Sequence, residues 1–328
     1  MTAPRTRSPA ADAIPEALTE RFSLALQRLW SGQERLGLAV SGGPDSLAML
    51  LLAQGSIPGR FEVATVDHGL RPEAADECAM VAQVCAEQGI SCEVLRVTVL
   101  GGNVQATARE ARYRALADWA VRRGLSAIAT AHHADDQAET LLMRLNRGSG
   151  VAGLAGVREA GTMPESSIPV LRPLLEFRRR ELEAIVAGGG LDAVQDPSNL
   201  DDRFDRVRLR KALAETDWLD VPSVARSAAN LADADEALAW ATDREWAERV
   251  SETSGGLRYL RSDAPRAIVL RVVERAIARL GGQARGGDLA RLAERLDAGG
   301  GGNLAGVLVT AEDGYWTFRP EPSRRSRD

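Results

Sequence analysis

Three carboxylates in this chain stand where chemistry could use them. Asp45 lies inside Ser41-Gly42-Gly43-Pro44-Asp45-Ser46, a turn between the apolar run Leu36–Val40 and the helix-forming run Leu47–Ala53. Strand, glycine turn and helix together present backbone N–H groups and a positive helix end to an anion. A carboxylate in a phosphate cradle repels its ligand unless a cation lies between, so Asp45 implies Mg2+. One leaving pyrophosphate, neutralised by a metal, suits adenylation better than transfer of a terminal phosphoryl group. Asp136 and Glu139 are three apart on one predicted helix face, just past a predicted strand end. Two acids there are costly unless a cation visits. First-turn acids favoured by the helix dipole account for Asp135 and Asp136 equally well, but less well for Glu139. His68, His132 and His133 are the chain's only histidines, and all fall at predicted strand ends.

The elements that must carry these residues alternate in type. Strands are expected at Leu36–Val40, Phe61–Val66, within Ser91–Val99, and up to about Thr130. Helices are expected after the glycine turn, over Glu73–Gly89, over Asn103–Gly124 with Asn103 as N-cap, and after His133. Strand–helix alternation of this kind predicts an α/β fold with a doubly wound parallel sheet. Ligands of that architecture lie beyond the carboxyl ends of the strands. Ser41–Ser46, Asp67-His68 and His132–Asp136 all fall at such ends, so three strand ends converge on one crevice. From about Thr216 the alternation stops and long helical patterns follow, ending in a hairpin about Asp313-Gly314. A boundary near Asp217–Pro222 divides the chain into a short N-terminus (1–20), a catalytic domain (21–216) and a smaller, mainly helical domain (217–328).

Composition excludes several classes. The chain has 328 residues, 45% hydrophobic and 27% charged, which is ordinary for a globular protein. No window approaches the apolar length of a membrane span, and the opening "MTAPRTRSPAADA" lacks an apolar signal core, so a cytoplasmic protein is expected. Cys78, Cys85 and Cys92 form no CxxC pair and read as free thiols of a reducing compartment. Lys211 is the only lysine and lies far from any glycine loop, which excludes a Walker phosphate loop; GxGxxG is also absent at the first strand. The net charge of −5 announces no nucleic acid, but "RFDRVRLRK" (Arg203–Lys211) and "RRSR" (Arg324–Arg327) concentrate arginine. Arg203, Arg206 and Arg210 recur at helical spacing, a stripe suited either to phosphates or to solvent.

SGGPDS resembles the pyrophosphate loop of the N-type ATP pyrophosphatases. Within that group "VDHGLRPEA", "AREARY", "TAHHADDQAETLLMRLNRGSGVAGLAG" and "QDPSN", in this order, resemble the tRNA(Ile)-lysidine synthetase family over roughly Leu36–Leu213. The resemblance implies a carbon–nitrogen ligase with ATP as co-substrate. ATP adenylates the wobble cytidine of the CAU-anticodon isoleucine tRNA at the oxygen on carbon 2. Free L-lysine then displaces AMP through its ε-amine. It further implies an ATP site of Ser41, Gly42, Gly43, Pro44, Asp45 and Ser46, with Val66 and His68 beside the nucleotide. Asp45 takes the metal, and Asp45, Arg109, Arg112, His133, Asp136 and Glu139 form the catalytic set. Asp136 and Glu139 also receive lysine, and Arg203, Arg206, Arg208 and Arg210 meet the tRNA. The family pattern is broken at Val207, where an asparagine usually stands between the arginines. Arg112 shares a helix edge with Leu116 and on spacing alone suits the crevice and an exposed face equally.

Two rivals use the same loop. A sulfur-inserting tRNA enzyme would carry CxxC pairs, which this chain lacks. A nucleotide-binding module without catalysis would not need Asp45, Asp136 and Glu139 together.

Overall fold

The computed structural model describes residues 14–69, 73–98, 104–194, 203, 205–284 and 286–321. It divides into two compact units, Met1–Ala232 and Asp233–Asp328. The expected break at 216/217 lies earlier, because the helix α9 (Val221–Arg249) runs unbroken from the first unit into the second.

The first unit is built on a six-stranded sheet. Its strands are β1 (Arg35–Ala39), β2 (Phe61–Asp67), β3 (Cys92–Arg96), β4 (Leu125–Ala129), β5 (Ala160–Thr162) and β6 (Pro169–Leu171), in the order β3-β2-β1-β4-β6-β5. All neighbours are parallel except β5 and β6. The strand order reverses between β1 and β4, so the crevice where an open α/β sheet takes its ligand lies at their carboxyl ends. The doubly wound sheet expected from the sequence is found.

Apolar residues pack both faces. On one, α2 (Pro44–Ser56) lies against α1 (Glu16–Leu29) and α7 (Arg179–Gly188), and α3 (Glu73–Glu87) covers β2 and β3. Ser46 to Gly55 of α2 are all buried, which is why that helix is apolar all round. On the other face α4 (Val104–Arg123) packs Tyr113, Leu116 and Trp119 against Leu125, Ile128 and Val170. Its approach to β1 requires a glycine: a Cβ on Gly37 would come within 2.5 Å of the Ile128 Cδ1 and 2.7 Å of the Trp119 ring. Asn103, the expected cap of α4, and the "QDPSN" motif lie outside the described residues. The first unit also holds α5 (Ala134–Leu145), α6 (Val151–Leu154) and α8 (Asp205–Ala214). Cys78 and Cys85 are buried free thiols, and Cys92 is half-buried and also free.

The second unit has its own core. Strands β7 (Val250–Thr253), β8 (Gly256–Leu260), β9 (Gly301–Leu304), β10 (Val307–Glu312) and β11 (Tyr315–Pro320) form an antiparallel sheet in the order β7-β8-β11-β10-β9. Helices α10 (Arg266–Arg279) and α11 (Gly286–Asp297) bury Ile268, Val272, Val273, Leu289 and Leu292 in the same cluster as Tyr259, Trp316 and Phe318 of the sheet. The hairpin about Asp313-Gly314 is β10–β11, with Glu312 opposite Tyr315. "Mainly helical" therefore describes only part of this unit. The four-residue strands VSET and GGNL carry too few apolar residues to be read beside long amphipathic helices.

Candidate active site

The glycine turn follows β1 directly. Gly42 has φ +85, a left-handed conformation, and a Cβ there would come 3.0 Å from the Met80 methyl. Gly43 caps α2 and Pro44 occupies its first turn, where a missing N–H costs nothing. The Ser46 hydroxyl closes the loop: it accepts from the Ser41 N–H at 3.1 Å and donates to the Gly43 carbonyl at 2.9 Å. Among the described residues the N–H groups of Gly42 and Gly43 have no hydrogen-bond partner. An anion cradle of this form needs such free donors.

The next strand end supplies His133. It is fully buried and caps α5 reciprocally: its Nδ1 accepts from the Asp136 N–H at 3.4 Å, and its own N–H donates to Asp136 Oδ2 at 3.2 Å. Its Nε2 faces Asp45 Oδ2 at 3.5 Å and Asp136 Oδ2 at 3.6 Å. Burial pushes the imidazolium down, but contact with Asp45 and the charge of Asp136 outweigh it, and His133 titrates above its ordinary value. Asp45 Oδ1 is buried with no hydrogen-bond partner among the described residues. No group of three His, Cys, Asp or Glu side chains suited to a metal occurs among those residues. A lone carboxylate at a phosphate cradle fits a hard cation that takes its remaining ligands from phosphate and water.

Asp135 serves the scaffold instead. It accepts a forked contact from Arg178 at 3.1–3.3 Å and the Arg179 N–H at 2.8 Å, tying α5 to the start of α7. Burial opposes its ionisation, yet these donors hold its carboxyl below the usual carboxylate range.

Asp136 and Glu139 are paired with cations of the chain itself. Arg206 donates to Glu139 Oε2 at 2.6 Å and to Asp136 Oδ1 at 2.9 Å. Arg210 donates to Glu139 Oε1 at 2.8 Å and Oε2 at 3.2 Å. Glu139 is only 2% exposed, so these bonds are what makes its burial tolerable. The expected arginine row is thus divided. Arg206 and Arg210 turn onto the acids, while Arg203 and Arg208 are exposed, Arg208 pairing with Asp205 at 2.5 Å. Val207 is buried, which explains an apolar residue between arginines.

A basic lobe adjoins this acidic one. Arg109 and Arg112, one turn apart on α4, lie 5.0 and 5.5 Å from the centroid of the Tyr113 ring. Arg172, at the end of β6, joins them; the sequence reading missed it because a three-residue strand is too short to be read as one. In the sequence Tyr113 is visible only as the end of "AREARY". His68 is half-buried with its Nδ1 unpartnered among the described residues, and burial and Arg112 lower its pKa. Val66, on the same strand end, is half-buried.

His132 stands between the lobes, its Nδ1 3.1 Å from the Thr130 hydroxyl. Burial and the nearby Arg172, Arg109 and Arg112 outweigh Asp136 and bring its pKa down to about 4. A histidine whose folded value is depressed takes up protons first in the unfolded chain. Stability therefore falls as pH drops from about 6.5 toward 4. His132→Asn should remove up to about 2 kcal/mol of that loss, allowing for partial solvation. Across unfolding midpoints measured from pH 7 to 4.5, wild type should lose stability relative to the variant as pH falls; a difference independent of pH would show that His132 is not the buried neutral group.

The PP-loop domain family matches residues 16–216 of this chain. The chain is 52% identical over 295 residues to a tRNA(Ile)-lysidine synthase of Novosphingobium aromaticivorans, covering 89% of this chain and 90% of the relative. It is 40% identical over 298 residues to the tRNA(Ile)-lysidine synthase of Zymomonas mobilis, covering 89% and 90%. Among solved structures, the U34-tRNA thiolase NcsA of Methanococcus maripaludis superposes with a TM-score of 0.52 at 17% identity, covering 65% of this chain and 77% of that one. That likeness is one of fold alone.

Proposed function

The chain belongs to the tRNA(Ile)-lysidine synthase family of PP-loop proteins, and from that premise we propose how its crevice divides the family's reaction. The protein is an ATP-dependent carbon–nitrogen ligase acting on tRNA(Ile) and L-lysine. Lysine is joined to carbon 2 of the wobble cytidine, through an adenylated cytidine, with release of pyrophosphate and AMP. One observation carries the division of labour: a phosphate loop and a carboxylate pair leave adjacent strands β1 and β4 and face one another across His133.

In this reading Ser41–Ser46 cradle the phosphates, with Val66 and His68 beside the nucleotide. Mg2+, held by Asp45, would neutralise charge building on the departing pyrophosphate. Arg109 and Arg112 supply fixed positive charge on the other side. His133 acts through its neighbours, orienting Asp45 and Asp136 from a buried position. Asp136 and Glu139 recognise a cation, and lysine's ammonium would take the place of a guanidinium of Arg206 or Arg210. The same carboxylates then draw off the amine proton.

A cytoplasmic location suits these substrates, and no helix among the described residues is long and apolar enough to cross a membrane. The sulfur-inserting rival is disfavoured because Cys78, Cys85 and Cys92, on α3 and β3, form no CxxC pair. Incubation with ATP, tRNA and labelled lysine tests the reading. Pyrophosphate and AMP should form in equal amounts with lysine incorporated into RNA; pyrophosphate release without incorporation would reject it.

RNA contact falls first to Arg203 and Arg208, the exposed members of the cluster. Arg208→Ala should weaken tRNA binding and make log affinity against log salt shallower by about one unit or less, because fewer counterions are released. ATP affinity should stay unchanged. Titrations at several salt concentrations check this, and parallel salt lines would make Arg208 a solvated residue.

A further inference from the structure

The scaffold accounts for only part of the Arg172 guanidinium, and the paired acids for none of it. Its Nη1 donates to the Arg158 carbonyl at 2.7 Å, but its Nε is buried with no hydrogen-bond partner among the described residues. The Tyr113 hydroxyl lies beside its guanidinium and also receives the Arg109 Nη2 at 3.1 Å. Arg112 approaches the same ring. Three guanidiniums thus gather around one phenol that is 5% exposed.

On the acidic side of the crevice Arg178, Arg206 and Arg210 are each matched by a carboxylate. Among the described residues no carboxylate pairs with Arg109, Arg112 or Arg172. Like charges held together and partly desolvated repel one another, and burial lowers the pKa of both Arg112 and Arg172. Tyr113 gives the cluster a frame without offsetting its charge. An oxyanion would satisfy all three forks and the orphaned Nε together.

We propose that Arg172 completes, with Arg109 and Arg112, a three-arginine site over Tyr113 that holds a phosphate group. The assignment rests on the reading of this crevice as an adenylation site. Two substrates of that reaction carry the required chemistry, the polyphosphate of ATP and the phosphodiester beside the wobble nucleotide. Either would bring a phosphate to the carboxyl end of β6, next to the switch point between β1 and β4.

The test uses the full chain with Arg172→Gln, which removes the charge, and Arg172→Lys, which keeps the charge and loses the fork. Dissociation constants are measured for ATP without tRNA, and for tRNA across a salt series. Inorganic pyrophosphate serves as a simple anion probe, read by the rise it causes in the melting midpoint. If the phosphate is that of ATP, Arg172→Gln should weaken ATP about tenfold and abolish the pyrophosphate-induced rise. If it is the RNA's, tRNA should weaken about tenfold with a salt slope about one unit shallower. Arg172→Lys should recover part of either loss. ATP and tRNA affinities within twofold of wild type in both variants would overturn the proposal. So would a lowered melting midpoint with unchanged anion response, since that is what a purely structural arginine gives. Should Arg172→Gln not fold, the lysine variant decides alone, by an affinity at least threefold weaker or one unchanged. Wild-type pyrophosphate release separates the two claims: its absence refutes the adenylation reading, whereas its presence beside indifferent variants refutes only Arg172.

Discussion

Asp45→Asn is expected to keep the fold and reduce pyrophosphate release from ATP by about a thousandfold or more. The substitution is nearly isosteric, so the cradle made by Ser41, Gly43 and Ser46 should survive, because Asp45 takes no part in its three hydrogen bonds. What changes is charge. Asp45 Oδ1 is a buried acceptor without a partner among the described residues, and an amide there offers a cation far less than a carboxylate does. The variant also loses part of what raises the His133 pKa, since contact with Asp45 is the first cause acting upward. That weakens the link between β1 and β4 without breaking the His133–Asp136 cap. Pyrophosphate release at saturating ATP, tRNA, lysine and Mg2+ measures the effect, with the melting midpoint as control. Turnover near the wild-type rate would remove Asp45 from the mechanism.

Glu139→Gln should produce the second large effect, and on two readouts. Gln accepts at one oxygen and turns its amide N–H groups toward guanidiniums that are themselves donors. Three contacts from Arg206 and Arg210 are weakened together. Breaking a buried ion pair costs about 3–5 kcal/mol, and partial exposure of both arginines reduces this to about 2 kcal/mol. Hydrogen exchange should quicken across α8, which those pairs attach to α5. In catalysis, adenylation of tRNA should survive while the KM for lysine rises at least about tenfold, because the site loses a charge partner for an ammonium. Single-turnover adenylation and lysine-dependent AMP release separate the steps. Failed adenylation with unaltered lysine dependence would move Glu139 to the ATP site.

The framework of the first unit was legible residue by residue. Short apolar runs became β1, β2 and β4, amphipathic runs became α3, α4 and α5, and the Gly42–Pro44 turn became the helix start it resembled. These are properties of neighbouring residues: periodicity, φ freedom and the missing N–H of proline act within a few positions of one another. The convergence of Ser41–Ser46 with His132–Asp136 followed too, because a parallel sheet delivers every strand end to the same edge. Pairing was not legible. Arg206 and Arg210, four apart, show the same helical spacing whether they face RNA, water or a buried carboxylate, and only the packing of α8 against α5 sets them on Glu139. His133 illustrates the same limit, since being a strand-end histidine does not say that it is wholly buried between Asp45 and Asp136. Arg172 had no pattern to announce it, coming after a strand of three residues and gaining its setting from Tyr113, 59 positions earlier. Local periodicity determined which elements form, but charge partners far apart in the chain are chosen by long-range packing. There the desolvation of a group such as Glu139 leaves only the arrangement that satisfies it.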